Sequence, residues 1–97
     1  MDKKVTKKML EDYAAQYPYC MFVIYADWCG HCQNMKQKLG KYFDINYDVI
    51  LFLEEADVSK ELKDYFPHIR VYENGKERDG NVEELYQLID NFKKSVK

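Results

Sequence analysis

Two cysteines three residues apart, in Cys29-Gly30-His31-Cys32, are the residues of this chain whose type and spacing can do chemistry. The thiolate is the form of cysteine that attacks disulfides and binds metals. The pair stands where an apolar, strand-like run (Cys20 to Ala26) gives way to a helical pattern, so Cys29 falls at or just before the first helical turn. There the unsatisfied N–H groups and the positive end of the helix dipole favour an anion, which lowers the thiol pKa. Cys32, one turn on and within disulfide reach, points to the buried side of the helix and should have the higher pKa and less access. Gly30 removes bulk from the exposed corner, and His31 can carry positive charge near neutral pH. Each pKa unit by which His31 favours the thiolate is worth about 1.4 kcal/mol. That makes the oxidised pair easier to reduce and the protein a better oxidant. The expected cycle is a mixed disulfide between Cys29 and substrate, resolved by Cys32. Zinc would need four ligands, and only Cys29, Cys32 and His31 or His68 are on offer. Redox chemistry without metal or other cofactor is therefore the preferred reading.

The elements that must position this pair follow from hydrophobic periodicity. Lys3 to Tyr17 has Val5, Met9, Leu10, Tyr13 and Tyr17 at helical spacing, ended by Pro18. Cys20 to Ala26 is apolar throughout, as in a central strand covered on both faces. Cys32, Met35, Leu39, Tyr42 and Phe43 share a helical face that Gly40 weakens. Val49 to Leu53 is a second strand, and Asp57 to Tyr65 reads as a short helix with Val58 and Leu62 inward. Pro67 opens a strand at His68 to Tyr72, and Asn74-Gly75 turns it into Lys76 to Arg78. Asn81 with Glu84 is a capping pattern for a last helix bearing Val82, Leu85, Leu88, Ile89 and Phe92. The order is α-β-α-β-α-β-β-α. The first two strands, joined through a helix, should be parallel, and the last two should form an antiparallel hairpin.

A chain of 97 residues makes one domain, residues 1–97, with no room for a second core. With 15 basic and 17 acidic residues the net charge is −2, which does not mark the chain as a binder of nucleic acid or anionic membrane. Its apolar run from Cys20 to Ala26 has seven residues, far short of the roughly 20 that span a bilayer. The charged N-terminus lacks the apolar segment of a signal peptide and the C-terminus is not a retention signal. As written the chain is expected in the cytoplasm, or in an oxidising lumen if a signal has been removed. An odd count of three cysteines is not a structural disulfide framework.

The segment Val23-Ile24-Tyr25-Ala26-Asp27-Trp28-Cys29-Gly30-His31-Cys32 resembles the active-site segment of the thioredoxin superfamily, most closely the catalytic domains of protein disulfide isomerases. A second match, Phe66-Pro67 followed by Ile69 to Lys76, resembles the family's cis-proline, strand and hairpin, in the family's order and spacing. The resemblance implies a thioredoxin-like fold reduced to a minimal four-stranded mixed sheet with four flanking helices, since no strand fits before the first helix. It implies Cys29 as nucleophile, Cys32 as resolving thiol, and Trp28 as the aromatic flanking the site. Pro67 would be cis against the disulfide, with the backbone of Phe66 pairing with an extended substrate. The chain departs from the pattern at Val23, where the family has a buried acid that helps deprotonate the resolving cysteine. A water or Asp27 could substitute, and His68 beside Pro67 is another candidate.

The remaining polar groups have plainer readings. Cys20 is about 20 Å along its strand from Cys29, beyond the roughly 7 Å a disulfide allows, and reads as a packed, unreactive thiol. Trp28 reads as a half-exposed wall of the substrate groove and Arg70 as a snorkelling structural residue. The leading function is a thiol–disulfide oxidoreductase on protein disulfides, leaning to oxidation and isomerisation. It would act as a monomer on protein or peptide thiols, with glutathione or a dithiol reductase as candidate recycling partners. A glutathione-linked or thioredoxin-type reductase is the alternative, and a non-enzymatic peptide- or metal-binding module on the same fold is a third reading of another class.

Overall fold

A computed structural model describes residues 4–45 and 47–95. Helix α1 (Lys7–Ala14) leads into strand β1 (Tyr19–Tyr25), helix α2 (Gly30–Leu39) and strand β2 (Ile50–Glu54). Strands β3 (His68–Glu73) and β4 (Lys76–Asp79) and helix α3 (Val82–Ser95) complete the chain. The four strands form one mixed sheet in the order β2-β1-β3-β4, with β1 parallel to β2 and both other pairings antiparallel. The expected parallel pair and hairpin are both present. At the hairpin Asn74 and Gly75 take φ of 52° and 82°, the positive values that an Asn-Gly turn supplies at least cost.

Strand alternation divides the apolar side chains into two cores. Met21, Val23 and Tyr25 of β1, with Ile69 and Val71 of β3, face α2 and α3 and pack with Cys32, Met35, Leu85 and Ile89. Cys20, Phe22 and Ile24, with Tyr72, face the other way onto Leu10 and Ala14 of α1 and onto Val58 and Leu62. The middle of β1 has no exposed surface, as its unbroken apolar run requires.

Two expectations need correction. Three α-helices are present among the described residues, not four. The stretch read as a helix from Asp57 to Tyr65 holds two short 3-10 turns, Glu55–Asp57 and Lys60–Leu62. The physical reason is a distant partner. The N–H of Val5 donates to the carbonyl of Asp57, and the N–H of Ser59 donates to the carbonyl of Val5, both at 2.8 Å. These bonds hold Val58 extended (φ −112°, ψ 155°), although Val58 and Leu62 are buried as expected. The same bridge, parallel between Val5 and Val58, is the one strand-like contact ahead of α1 among the described residues. It also shortens the first helix, expected over Lys3 to Tyr17. Thr6 caps it instead, its Oγ1 accepting the N–H of Met9 at 3.3 Å, and past Ala14 the chain tightens before Pro18. Lys3 lies outside the described residues.

The turn from β4 into α3 must pass close to the sheet. A Cβ on Gly80 would sit 2.9 Å from the Cγ2 atoms of Ile69 and of Val71, so a larger residue requires these buried side chains to shift. Beyond it, Asn81 Oδ1 accepts the N–H of Glu84 at 2.9 Å and caps α3. The Glu84 carboxylate is held by both Nη atoms of Arg78 and by the Tyr19 hydroxyl, which ties α3 to two strands.

Candidate active site

Strand β1 runs straight from the core to the redox-type pair. Beyond Tyr25 the chain passes Ala26, Asp27 and Trp28 and reaches Cys29, the N-cap residue of α2, still extended at φ −89° and ψ 124°. The carbonyl of Cys29 already accepts the N–H of Gln33 at 3.0 Å, so the sulfur sits at the mouth of the helix where N–H groups are unsatisfied. Cys32, one turn later, is fully buried beneath it, and both cysteines are free thiols.

The two sulfurs therefore have opposite surroundings. The backbone N–H of Cys32 points at the Cys29 sulfur, with help from the Cys32 thiol and the His31 N–H, and these donors hold the Cys29 pKa below the ordinary thiol value. Partial burial opposes them, and the Cys29 thiol donates to the carbonyl of Phe66 at 3.4 Å. Burial pushes Cys32 up to about 11, despite the N–H of Ala26 donating to its sulfur at 3.4 Å. The Cys29 thiol acting on Cys32 raises it further, while Lys36, one turn on, pulls it down.

The second sequence segment arrives from across the sheet. The Phe66–Pro67 peptide is cis and places the Phe66 carbonyl against the Cys29 sulfur. Trp28 is 69% exposed, more than the half-exposed wall expected, and stands edge-on to the Phe66 ring at 5.6 Å. Beside Pro67 opens a groove of about 530 Å³, lined by His31, Asn34, Tyr65, Asn81, Val82 and Tyr86. His31 is exposed on its rim. A Cβ on Gly30 would meet nothing within 4 Å, so this corner is open to an incoming molecule rather than filled by the protein.

Cys29, Gly30, His31, Cys32, Trp28, Phe66 and Pro67 are thus brought to one end of the sheet. His68 is not among them. It pairs with Ile24 and shares the α1 face, with its Nε2 3.3 Å from Asp79 Oδ1 and its ring 4.6 Å from that of Tyr65. Adjacency to Pro67 in sequence sends it to the opposite face, because neighbouring strand residues point apart. Arg70 follows the same alternation. It does not snorkel to solvent but is buried and paired with Glu77. Cys20 is buried on the α1 face, with its pKa pushed up to about 11 by burial.

Where the family pattern has an acid, Val23 is flanked by Phe52 and Ile69 and belongs to the apolar core around Cys32. The cationic side chain whose charge reaches Cys32 is Lys36. Asp27 Oδ1 accepts from Lys36 Nζ at 2.6 Å, and the Lys36 ammonium rests over the rings of Tyr25 and Phe43. Lys36 and a hydrogen bond from Glu54 hold Asp27 ionised, and the same bond to Asp27 raises Glu54. Sequence reading named Asp27 but missed its partners. Lys36 and Asn34 were findable on α2, at i+4 from Cys32 and i+3 from His31, whereas Glu54 and the groove residues Tyr65 and Tyr86 come from elements that only folding brings together. Among the described residues no three His, Cys, Asp or Glu side chains are gathered as a metal site.

Comparison with known proteins agrees with this geometry. The thioredoxin family model matches residues 3–94. Among solved structures, thioredoxin from Fasciola hepatica superposes with a TM-score of 0.60 at 20% identity, over 94% of this chain and 98% of that one. The first thioredoxin domain of mouse protein disulfide-isomerase A4 superposes with a TM-score of 0.55 at 18% identity, over 90% of this chain and 71% of that one. Thioredoxin pre-protein from Schistosoma mansoni gives 0.57 at 14% identity, over 93% and 95%. No curated protein sequence matches. With the family model covering nearly the whole length, and the fold shared with both kinds of relative, the chain belongs to the thioredoxin family.

Proposed function

We propose that this protein is a thiol–disulfide oxidoreductase acting on protein and peptide disulfides through Cys29 and Cys32. The observation that carries the reading is the asymmetry of the two thiols, one lowered at the mouth of α2 and the other raised beneath it. In the reducing direction the Cys29 thiolate attacks one sulfur of a substrate disulfide, and the other substrate sulfur leaves as a thiolate and takes up a proton. Cys32 then loses its proton and attacks the Cys29 sulfur. The second substrate thiol leaves, the protein pair is oxidised to a disulfide, and two electrons have passed to the substrate. Oxidation of a substrate dithiol is the same path reversed.

An extended substrate lies over Pro67, in the groove between His31, Tyr65 and Tyr86, with its backbone beside that of Phe66 and Trp28 standing against the Phe66 ring. Lys36, whose charge reaches Cys32, and its partner Asp27 take the part of the missing acid at Val23, the lysine stabilising the thiolate as it forms. All these groups come from one chain, so the chemistry needs no second copy. The leaning is towards oxidation and isomerisation. N–H groups that hold the Cys29 thiolate stabilise the dithiol form, which makes the disulfide the stronger oxidant. Each pKa unit of that stabilisation is about 1.4 kcal/mol.

The test is a pair of substitutions and one potential. Cys29→Ser abolishes exchange with a disulfide-bonded peptide, and Cys32→Ser accumulates the mixed disulfide, seen by mass spectrometry. A Cys29→Ser variant with full activity sinks the enzyme reading in favour of a binding module. Equilibration with glutathione gives a mildly reducing potential for an oxidase or isomerase, and a strongly reducing one for a thioredoxin-type reductase.

A further inference from the structure

The outward face of α2 leads away from the cysteine pair as a stripe of His31, Asn34 and Lys38, at successive turns, and continues to Lys41 in the 3-10 turn that follows. From Trp28 to Phe43 the chain has three lysines and no acidic residue. Lys36 is committed to Asp27, which leaves Lys38 and Lys41 on the surface. Tyr86 of α3 connects this stripe to the groove. It lines the groove with His31 and Asn34, and also a shallow notch with Lys38, Ile89 and Lys93.

The ammonium groups along this seam are held against rings. Lys38 Nζ lies 4.6 Å from the Tyr86 ring centre, and Lys93 and Lys41 lie 4.6 and 5.4 Å from that of Tyr42. A cation on an aromatic face keeps its full charge and loses little freedom when an anion arrives. The one carboxylate in the notch, Asp90, is 3.7 Å from Lys93. Opposite in sign is the stretch from Asp44 to Asp64, which holds seven carboxylates against two lysines. Basic groups therefore outnumber acidic ones along the α2–α3 seam, Lys38, Lys41 and Lys93 against Asp90 and Glu83, whose charge reaches Tyr86, and the seam begins at the groove where the exchanging cysteine must lie.

We infer that this seam docks an acidic segment of the protein substrate, several residues along from the cysteine being exchanged. The inference rests on the oxidoreductase reading above and adds the substrate class. Lys38 is nine residues beyond Cys29, about 14 Å along the helix at 1.5 Å per residue. An extended substrate advances about 3.3 Å per residue, so its carboxylates fall about four to six residues from its cysteine. A peptide suits the seam better than a nucleic acid or anionic membrane. Three lysines neutralise few phosphates, and a molecule of net charge −2 is repelled as a whole by a polyanion.

The experiment measures the rate at which the reduced protein exchanges with disulfide-bonded peptides. Glu-Glu-Glu at positions four to six from the cysteine, on either side, is compared with Gln-Gln-Gln at the same positions. Neutral hydroxyethyl disulfide serves as a small substrate. At low salt one acidic peptide reacts about tenfold faster than its glutamine counterpart, an ordinary size for electrostatic steering. The advantage disappears at 0.5 M salt and in the combined Lys38→Gln, Lys41→Gln, Lys93→Gln variant, while the hydroxyethyl disulfide rate is the same in both proteins. Lys38→Gln alone loses part of it, which holds even if the triple variant folds poorly. Equal rates for the acidic and glutamine peptides at low salt overturn the inference, as does an advantage that survives in the folded triple variant. Lysine-dependent binding of phosphatidylserine vesicles or single-stranded DNA at 0.15 M salt, with no peptide preference, overturns it in favour of those occupants. Failure of the wild-type protein to exchange even with hydroxyethyl disulfide refutes the oxidoreductase reading itself.

Discussion

The two faces of the central sheet share the same strands yet solve the problem of a buried titratable group in opposite ways. On the α2–α3 face the polar groups of interest are two sulfurs at the sheet's end, over a floor of Val23, Met35 and Ile69. On the α1 face β3 sends His68 and Arg70 inward, and β4 answers each with a carboxylate, Asp79 for His68 and Glu77 for Arg70. A thiol has a neutral form that burial favours, so it can be buried without a charged partner. A guanidinium has no accessible neutral form and must be paired. The lesson is that the α2–α3 face tunes its thiols by burial and backbone N–H groups, whereas the α1 face holds its buried cation with a paired carboxylate.

The largest effect expected from this contrast is in thiol reactivity. With Cys32 near 11 and Cys29 below the ordinary value of 9, their thiolate fractions at neutral pH differ by at least about a hundredfold. Alkylation by iodoacetamide, followed by mass spectrometry from pH 5 to 10, should modify Cys29 first throughout. Comparable labelling of the two at pH 7 breaks the comparison. Stability follows with opposite signs. The lowered Cys29 contributes stability that is present above pH 9 and lost as pH falls through its folded value. The raised Cys32 contributes stability that is present below pH 9 and lost as pH rises towards 11. In urea unfolding of the reduced protein, these two groups together favour the fold most near pH 9.

Next in size is the ion pair. Glu77→Ala strands the Arg70 guanidinium and should cost about 3 kcal/mol, at the low end for a buried pair because Glu77 is 30% exposed. Replacing both, as Arg70→Leu with Glu77→Leu, should cost much less, since an apolar pair removes the desolvation problem. Equal losses in the single and double variants would show that the pair itself stabilises the fold. The smallest effect sharpens the division between faces. His68→Ala should lower stability by about 1–3 kcal/mol through the lost packing and the bond to Asp79. The lifetime of the mixed disulfide trapped at Cys29 should stay as it is. A changed lifetime with unchanged substrate affinity would return His68 to the site.

Much of the fold was legible because its signals are local. The Asn74-Gly75 turn, the cap at Asn81 and the apolar run of β1 all depend on residues within a few positions of one another. The failure at Asp57 to Tyr65 has the opposite cause. Val58 and Leu62 have helical spacing, but Val5, more than fifty residues away, takes the hydrogen bonds that a helix there would need. The site divides in the same way. The cysteines and their unequal surroundings follow from a strand ending where a helix begins. The groove, with Asn34 of α2, Tyr65 ahead of β3 and Tyr86 of α3 from three separate segments, has no local signature.

From its residues alone this chain determined that a thiol pair stands at the start of a helix, that one sulfur is tuned towards its anion, and that a buried strand carries them. Those properties reside in short stretches of backbone whose hydrogen bonds and alternation operate over a few residues. Tertiary structure alone decided which face His68 joins, that Arg70 is paired rather than solvated, and that Lys36 clasps Asp27. It also decided that lysines from α2 and α3 line one seam. Each of these depends on the register between strands and the packing of helices, where the contacts are made between residues far apart in the chain.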